Sequence, residues 1–190
     1  GFCELGAQPL VPVLRGIYDF LVAHPGEVLV IVIEDYVSPD EIARAFEESG
    51  LLRLVYQGPA GPPWPTLRQM ISRDERVVVL AEADSAGVPW YHPAFEVMQE
   101  TPYHFKAPEE FSCAPHRGGT GGSLFQVNHW IDTTPTPRPS NAEIVNAHDF
   151  LLARARQCQD ERDALPNLLA VDFALTGDVV GVAAEHNGLP

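Results

Sequence analysis

Residues 27–37 read EVLVIVIEDYV, and this stretch decides the fold. Six apolar residues, Val28 to Ile33, end abruptly at Glu34 and Asp35. A run of Val, Leu and Ile this short and uniform predicts a strand buried on both faces, the mark of a parallel sheet. Its two carboxylates then stand at the C-terminal end of the strand. In β/α barrels that end carries the chemistry.

Working outward, apolar residues at Leu10, Val13, Leu14, Ile17 and Leu21 have the spacing of an amphipathic helix. His24-Pro25-Gly26 ends it, because proline cannot continue a helix and glycine tolerates the reversal. After the central strand, Ser38-Pro39-Asp40-Glu41 predicts a helix start, with Ser38 as N-cap and Glu41 three residues on. That helix presents Ile42, Ala45 and Phe46 and closes at Gly50. Thr66 and Gln69 repeat the capping pattern. Arg76 to Ala81 predicts a second buried strand, ending at Glu82 and Asp84.

The second half continues the alternation. Ala94 to Met98 reads as a weaker strand followed by Gln99, Glu100 and Tyr103. Residues 118–122, GGTGG, lack a GK[ST] ending and a preceding strand, so they read as a flexible loop rather than a phosphate cradle. Ser123 to Trp130 predicts a strand with Asn128 and His129 at its end. Ser140 and Glu143 form a third capping pattern, opening a long helix to about Cys158. Asn167 to Phe173 predicts a strand ending at Asp172, and Asp178 caps a last helix that closes at Asn187-Gly188. Recurrent strand–helix alternation without a dinucleotide-type glycine turn predicts an α/β barrel with a parallel sheet.

Composition narrows the function. Twelve Lys and Arg against 26 Asp and Glu give a formal charge of −14. A nucleic-acid partner would need a basic footprint, which this balance denies. Membrane contact is at most peripheral: no apolar run approaches the ~18 residues of a spanning helix. Three cysteines, Cys3, Cys113 and Cys158, have no metal-site spacing, and their odd number leaves the disulfide pairing open. The start at Gly1-Phe2-Cys3 reads as mid-loop, so the expectation is a fragment of a longer chain.

Four stretches then carry a resemblance: CELG at 3–6, HPGE at 24–27 followed by VIVIEDY at 30–36, Ser112-Cys113 after Tyr103, and LPNLLAVDF at 165–173. In order and over essentially the whole chain they resemble the PLC-like phosphodiesterases. These are built on the X-domain barrel of phosphatidylinositol-specific phospholipase C, and the likeness is to the secreted plant and bacterial branch. The resemblance implies an irregular TIM-type (β/α) barrel lacking its first two strands, with residues 1–190 as one domain forming the C-terminal two-thirds. It implies a secreted phosphoric diester hydrolase of phospholipase C type, acting on a phospholipid or small phosphodiester and monomeric at full length. Two histidines would serve as base and acid. Both match positions upstream of Gly1, which leaves this piece inactive alone.

Residue by residue, the resemblance implies that Glu34 is a ligand of Ca²⁺, as in the calcium-dependent branch. Calcium takes several hard oxygen donors, and a carboxylate at a strand mouth supplies one. Asp172 matches the aspartate that orients the base histidine, fixing its tautomer and raising its basicity. Glu100 and Tyr103 fall near an acidic residue and a tyrosine that contact the inositol ring in bacterial members, with the spacing off by one. Glu82 and Asp84 stand where those members place a basic residue.

Bland readings stand beside these. Glu34 and Asp35 also suit a solvated strand end, and Asp35 faces the opposite way because strand side chains alternate. None of the seven histidines has HxH or HExxH spacing. His129, at a strand end, stands out from the others, while His104 and His116 read as loop residues. Two alternatives remain to phospholipase C chemistry: a non-catalytic secreted barrel used for binding, and a glycerophosphodiester phosphodiesterase-like enzyme.

Overall fold

The computed structural model describes residues 6–189, so Cys3 and most of the CELG stretch lie outside it. The chain divides into two compact units, residues 1–94 and 95–190. Each contains a three-stranded, wholly parallel sheet.

In the first unit, α1 (Leu10–Ala23), β1 (Leu29–Ile33), α2 (Pro39–Ser49), α3 (Leu67–Arg73), β2 (Val77–Ala81) and β3 (Tyr91–Pro93) follow in order. Both capping patterns form as predicted. The Ser38 hydroxyl accepts from the Glu41 amide while the Glu41 carboxylate accepts from the Ser38 amide, and Thr66 and Gln69 do the same. Gly50 closes α2 in the left-handed region, at φ 83°. The sheet order is β1-β2-β3, with Leu29 opposite Val77 and Val79 opposite Tyr91.

The buried centre of this sheet is β2, not β1. Val77, Val78, Val79, Leu80 and Ala81 are each 5% exposed or less, and burying each valine contributes about 1.5–3 kcal/mol. β1 is an edge strand, and Val30 within it is 38% exposed. The apolar run correctly signals a parallel strand, but its side chains are not enclosed on both faces. Arg76 fastens the entry to β2. Its buried guanidinium donates from Nη1 to the carbonyls of Leu21 (2.9 Å) and His24 (3.3 Å) at the C-terminus of α1, where a cation also suits the helix dipole. Its Nε donates to Asp74 at 2.7 Å.

α4 (Ala94–Val97) leads into the second unit, which contains β4 (Met98–Glu100), β5 (Leu124–His129), α5 (Pro139–Val145), α6 (His148–Arg162), β6 (Leu168–Val171) and α7 (Val179–His186). Its sheet has the order β4-β5-β6. The expected barrel is therefore corrected: among the described residues the strands form two separate small sheets and no closed barrel. The stretch read as one strand, Ala94 to Met98, changes as well. It is a helical turn bracketed by two three-residue strands, β3 and β4. Helical backbone turns its hydrogen bonds along itself, so residues 94–97 add nothing to either ladder.

Two further expectations change. The long helix from Ser140 is two helices, α5 and α6, parted at Asn146-Ala147, and α5 has Arg138 at its N-cap and Pro139 as its first residue, so Ser140 lies inside it and does not cap it. Asn146 explains the break: its side-chain amide donates to the carbonyls of Asp172 (2.9 Å) and Thr176 (3.2 Å), tying this corner to the exit of β6. The GGTGG tract, in turn, is packed rather than loose. A methyl group on Gly122 would fall inside the van der Waals radii of the Met98 carbonyl carbon and the Gln99 nitrogen, and one on Gly118, at φ 73°, would strike the Met98 carbonyl. The glycines let this loop lie directly on the β4 backbone. Gly122→Ala is expected to cost about 1–3 kcal/mol, read as a lower urea midpoint; an unchanged midpoint would show the loop to be free of β4.

Cys113 and Cys158 form a disulfide, with Cα atoms 5.0 Å apart. Both are buried, packed with Phe125 and Val127 of β5. The bridge ties the segment following β4 to α6.

Candidate functional site

At the exit of β1, in the first unit, the two adjacent carboxylates have separate tasks. Asp35 accepts from the amides of Ala83 (2.9 Å) and Asp84 (2.8 Å), so it staples the exit of β2 beside that of β1. Burial pushes its carboxyl up, but the hydrogen bonds from Asp84 and Ala83 outweigh that and hold it below the usual carboxylate range. Glu34 is exposed and accepts the Tyr36 hydroxyl at 2.5 Å. Among the described residues no group of three His, Cys, Asp or Glu side chains is placed to hold a metal ion. With Asp35 occupied by backbone, Glu34 offers calcium a single carboxylate, and the described donors do not make up a coordination set.

The richest polar assembly is in the second unit, at the C-terminal ends of β4 and β5. Glu100, the last residue of β4, is fully buried. Its Oε1 accepts from Arg117 Nε at 2.5 Å and His116 Nδ1 at 3.0 Å; its Oε2 accepts from Arg117 Nη2 and Asn128 Nδ2, both at 3.1 Å. The backbone sets this up, because the Glu100 amide donates to the Arg117 carbonyl and the His116 amide to the Glu100 carbonyl. Residues 116–117 thus run alongside β4, and the tight seat of Gly118 and Gly122 keeps them there. Burial pushes the Glu100 carboxyl up, but Arg117, His116 and Asn128 outweigh it and hold it below its ordinary value of 4.5.

Tyr103 is the hub of the neighbouring rings. Its centroid lies 4.3 Å from that of His104, 5.2 Å edge-on from His116 and 6.3 Å from Trp130, and the Arg117 guanidinium carbon stands 4.9 Å from it. Asp132, beyond Trp130, accepts from Lys106 Nζ at 2.8 Å and pairs with His104 Nδ1 at 3.2 Å. Those two partners hold its carboxyl below the usual range.

Asp172, at the exit of β6, lines a small concavity with Trp130, Arg138, Asn141 and Asn146. Burial first, and Asp132 second, push its carboxyl above the usual range. His129 is a core residue. It is fully buried, its Nε2–H donates to the Val145 carbonyl at 2.7 Å, and burial lowers its pKa to about 4, so the ring is neutral.

Of the residues singled out from sequence, Glu100 and Tyr103 come together through His116 and Arg117, and Asp172 stands near Asp132 in the same unit. Glu34 belongs to the first unit. Sequence reading missed His116 and Arg117. The pair sits in a glycine-bounded loop 16 and 17 residues beyond Glu100, and the available signal was an acidic strand end followed by an adjacent His-Arg pair. The assembly can present charged and aromatic groups to a polar ligand. The carboxylate of Glu100 itself is taken up by protein donors.

Comparison with known proteins bears on the family of the chain, not on these side chains. The family model described as PI-PLC X 1 matches residues 2–187. A PI-PLC X domain-containing protein of Arabidopsis thaliana is 30% identical over 192 residues, covering 92% of this chain and 43% of that protein. PI-PLC X domain-containing protein 1 of Arthroderma benhamiae is 26% identical, covering 93% of this chain and 64% of its own length. An uncharacterized secreted protein of the same fungus is also 26% identical, over 98% of this chain and 49% of its own. The chain spans about half the length of the curated relatives it matches. No solved structure matches.

Proposed function

Because the chain belongs to the PI-PLC X domain family, we propose that the whole protein is a phosphoric diester hydrolase of phospholipase C type, acting outside the cell on a phospholipid or related phosphodiester. The observation that carries this reading is the gathering of Glu100, Asn128 and Asp172 at the C-terminal ends of three adjacent parallel strands. That is the edge at which α/β folds place their chemistry.

In this reading Asp172 positions the base histidine. Its carboxyl is burdened by burial and by Asp132. An imidazole that becomes positive on taking a proton relieves both, so the pairing favours proton uptake by the ring. Glu100 positions His116 and Arg117, and these face the headgroup. No step is routed through calcium, since Glu34 supplies one carboxylate only. The extracellular setting is supported by the buried disulfide, a bond favoured by oxidising compartments, and by the relative named as a secreted protein.

The test is turnover of the whole protein, with any residues that precede Gly1 included, on phosphatidylinositol vesicles. Diacylglycerol release is expected, and Asp172→Asn is expected to slow it about a hundredfold or more. Absence of diester cleavage, or full activity in the variant, sinks the reading. Turnover of glycerophosphocholine but not of the phospholipid would move the protein to the glycerophosphodiesterase class.

A further inference from the structure

One face of α6 lines a cleft of about 350 Å³, closed on its other side by the segment around Pro108 and Phe111. The cleft shares no lining residue with the concavity at Asp172. Its volume lies at the lower end of the range for small-molecule sites, about 300–1,000 Å³. Phe150, Ala153, Arg154 and Gln157 recur at i, i+3, i+4 and i+7, so a single helix face supplies one wall. Much of the lining is apolar. The rings of Phe111 and Phe150 meet edge-on in it, their centroids 6.1 Å apart.

Arg154 is the exception in that lining. It is 4% exposed. Nη2 donates to the Ser112 carbonyl at 2.9 Å, Nη1 reaches only the Cys113 sulfur at 3.6 Å, and Nε has no acceptor. That leaves most of the five N–H bonds of a guanidinium unspent. The rings of Phe111 and Phe105 stand 4.8 and 5.6 Å from its central carbon. Among the described residues no carboxylate is paired with it. Glu161 acts on it from seven residues along α6, and is itself bonded by Gln157 Nε2 at 2.7 Å. Burial lowers the Arg154 pKa to about 10, so the charge persists at neutral pH.

A guanidinium held this deep without an anion is costly, and aromatic faces offset only part of that cost. Glu109 is the other charged residue of the lining; it is exposed, so water screens it. The Arg154 end of the cleft therefore favours an anion. A single guanidinium offers few donors to the three oxygens of a phosphate, whereas the two oxygens of a carboxylate match its fork.

We propose that this cleft binds an apolar monocarboxylate, with the carboxylate on Arg154 and the hydrocarbon body against Phe111, Phe150 and Pro108. The site stands whether or not the protein is a hydrolase.

Octanoate is the probe, titrated into the whole protein by nuclear magnetic resonance beside 1-octanol and inorganic phosphate. It is expected to bind about tenfold more tightly than 1-octanol, the worth of a charge-assisted hydrogen bond. The Arg154 Nε–H signal and the Phe150 ring signals should move together. Ala153→Phe fills the cleft from an exposed helix position and leaves Arg154 in place. It should weaken octanoate at least about tenfold with unchanged circular dichroism. Arg154→Met, which keeps an apolar stem, should bring octanoate down to the level of 1-octanol; if that variant unfolds, Ala153→Phe decides alone. Equal binding of octanoate and 1-octanol, shifts confined to other residues, or full affinity in Ala153→Phe overturns the site. Inorganic phosphate displacing octanoate from the same signals overturns the choice of a carboxylate.

Discussion

Reduction of the Cys113–Cys158 bridge is expected to cost the second unit about 4 kcal/mol, the loop-closure value for a cross-link of this span. The two cysteines are 45 residues apart. The enclosed loop holds the whole of β5, α5 and most of α6, so opening it frees most of the unit's chain in the unfolded state. The native side reinforces the effect. Cys113 and Cys158 pack with Phe125 and Val127, and Arg154 anchors the same segment by donating to the Ser112 carbonyl at 2.9 Å. Hydrogen exchange reads this locally. Protection of the Val127 and Leu151 amides should fall about a thousandfold in the doubly substituted C113S/C158S protein. Unchanged protection would mean that the bridge holds together chain that packing already holds.

Glu100→Gln is the second large effect, expected to cost about 2–3 kcal/mol. Breaking a fully buried ion pair costs about 3–5 kcal/mol, and the figure is reduced here because Arg117 and His116 are about one-third exposed and partly screened by water. The amide keeps an acceptor for one donor but turns its own N–H towards another, and Arg117 and His116 lose the charge that Glu100 gives them. The pH dependence fixes the sign. The folded-state carboxyl lies below its ordinary 4.5, so the unfolded chain takes up the proton first as pH falls. The contribution is therefore complete above about 4.5 and disappears as pH drops through the lower folded value. Urea midpoints measured from pH 6 to pH 3 should fall more steeply in the unmodified protein than in the variant. Parallel curves would show that the Glu100 carboxyl takes up its proton alike in the folded and unfolded chain.

Local chemistry was well legible in the sequence. Ser38 with Glu41, Thr66 with Gln69, Gly50 and Asp178 each act within a few residues of themselves, and each does what its type predicts. Four strands, β1, β2, β5 and β6, could be placed in the same way. The split into two sheets was not legible, and neither was the segment between them: Ala94 to Val97 is apolar enough for a strand and coils into a helical turn. Strand alternation set Asp35 apart from Glu34, but its actual task was hidden, since it is defined by amides 48 and 49 residues away. The candidate site shows the same limit. Glu100 and Tyr103 were visible as a polar strand exit, but their meaning depends on residues 116–117 returning along β4. No periodicity encodes that return. It was written in Gly118 and Gly122, whose missing side chains look like looseness and in fact permit contact.

The parallel pairing of every strand also governs how this chain reaches its structure. Among the described residues no strand has a hairpin partner to meet early. Val79 must find Tyr91, Met98 must find Leu124, Gln126 must find Leu168 and Leu29 must find Val77. Each encounter closes a loop before any ladder bond rewards it, which puts folding in the slower range expected of non-local topologies. During that interval the strand LVIVI of β1 travels uncovered, an apolar edge open to other copies of the chain. The speed of chain collapse, more than the depth of the final energy well, then sets how much of this protein arrives as single molecules.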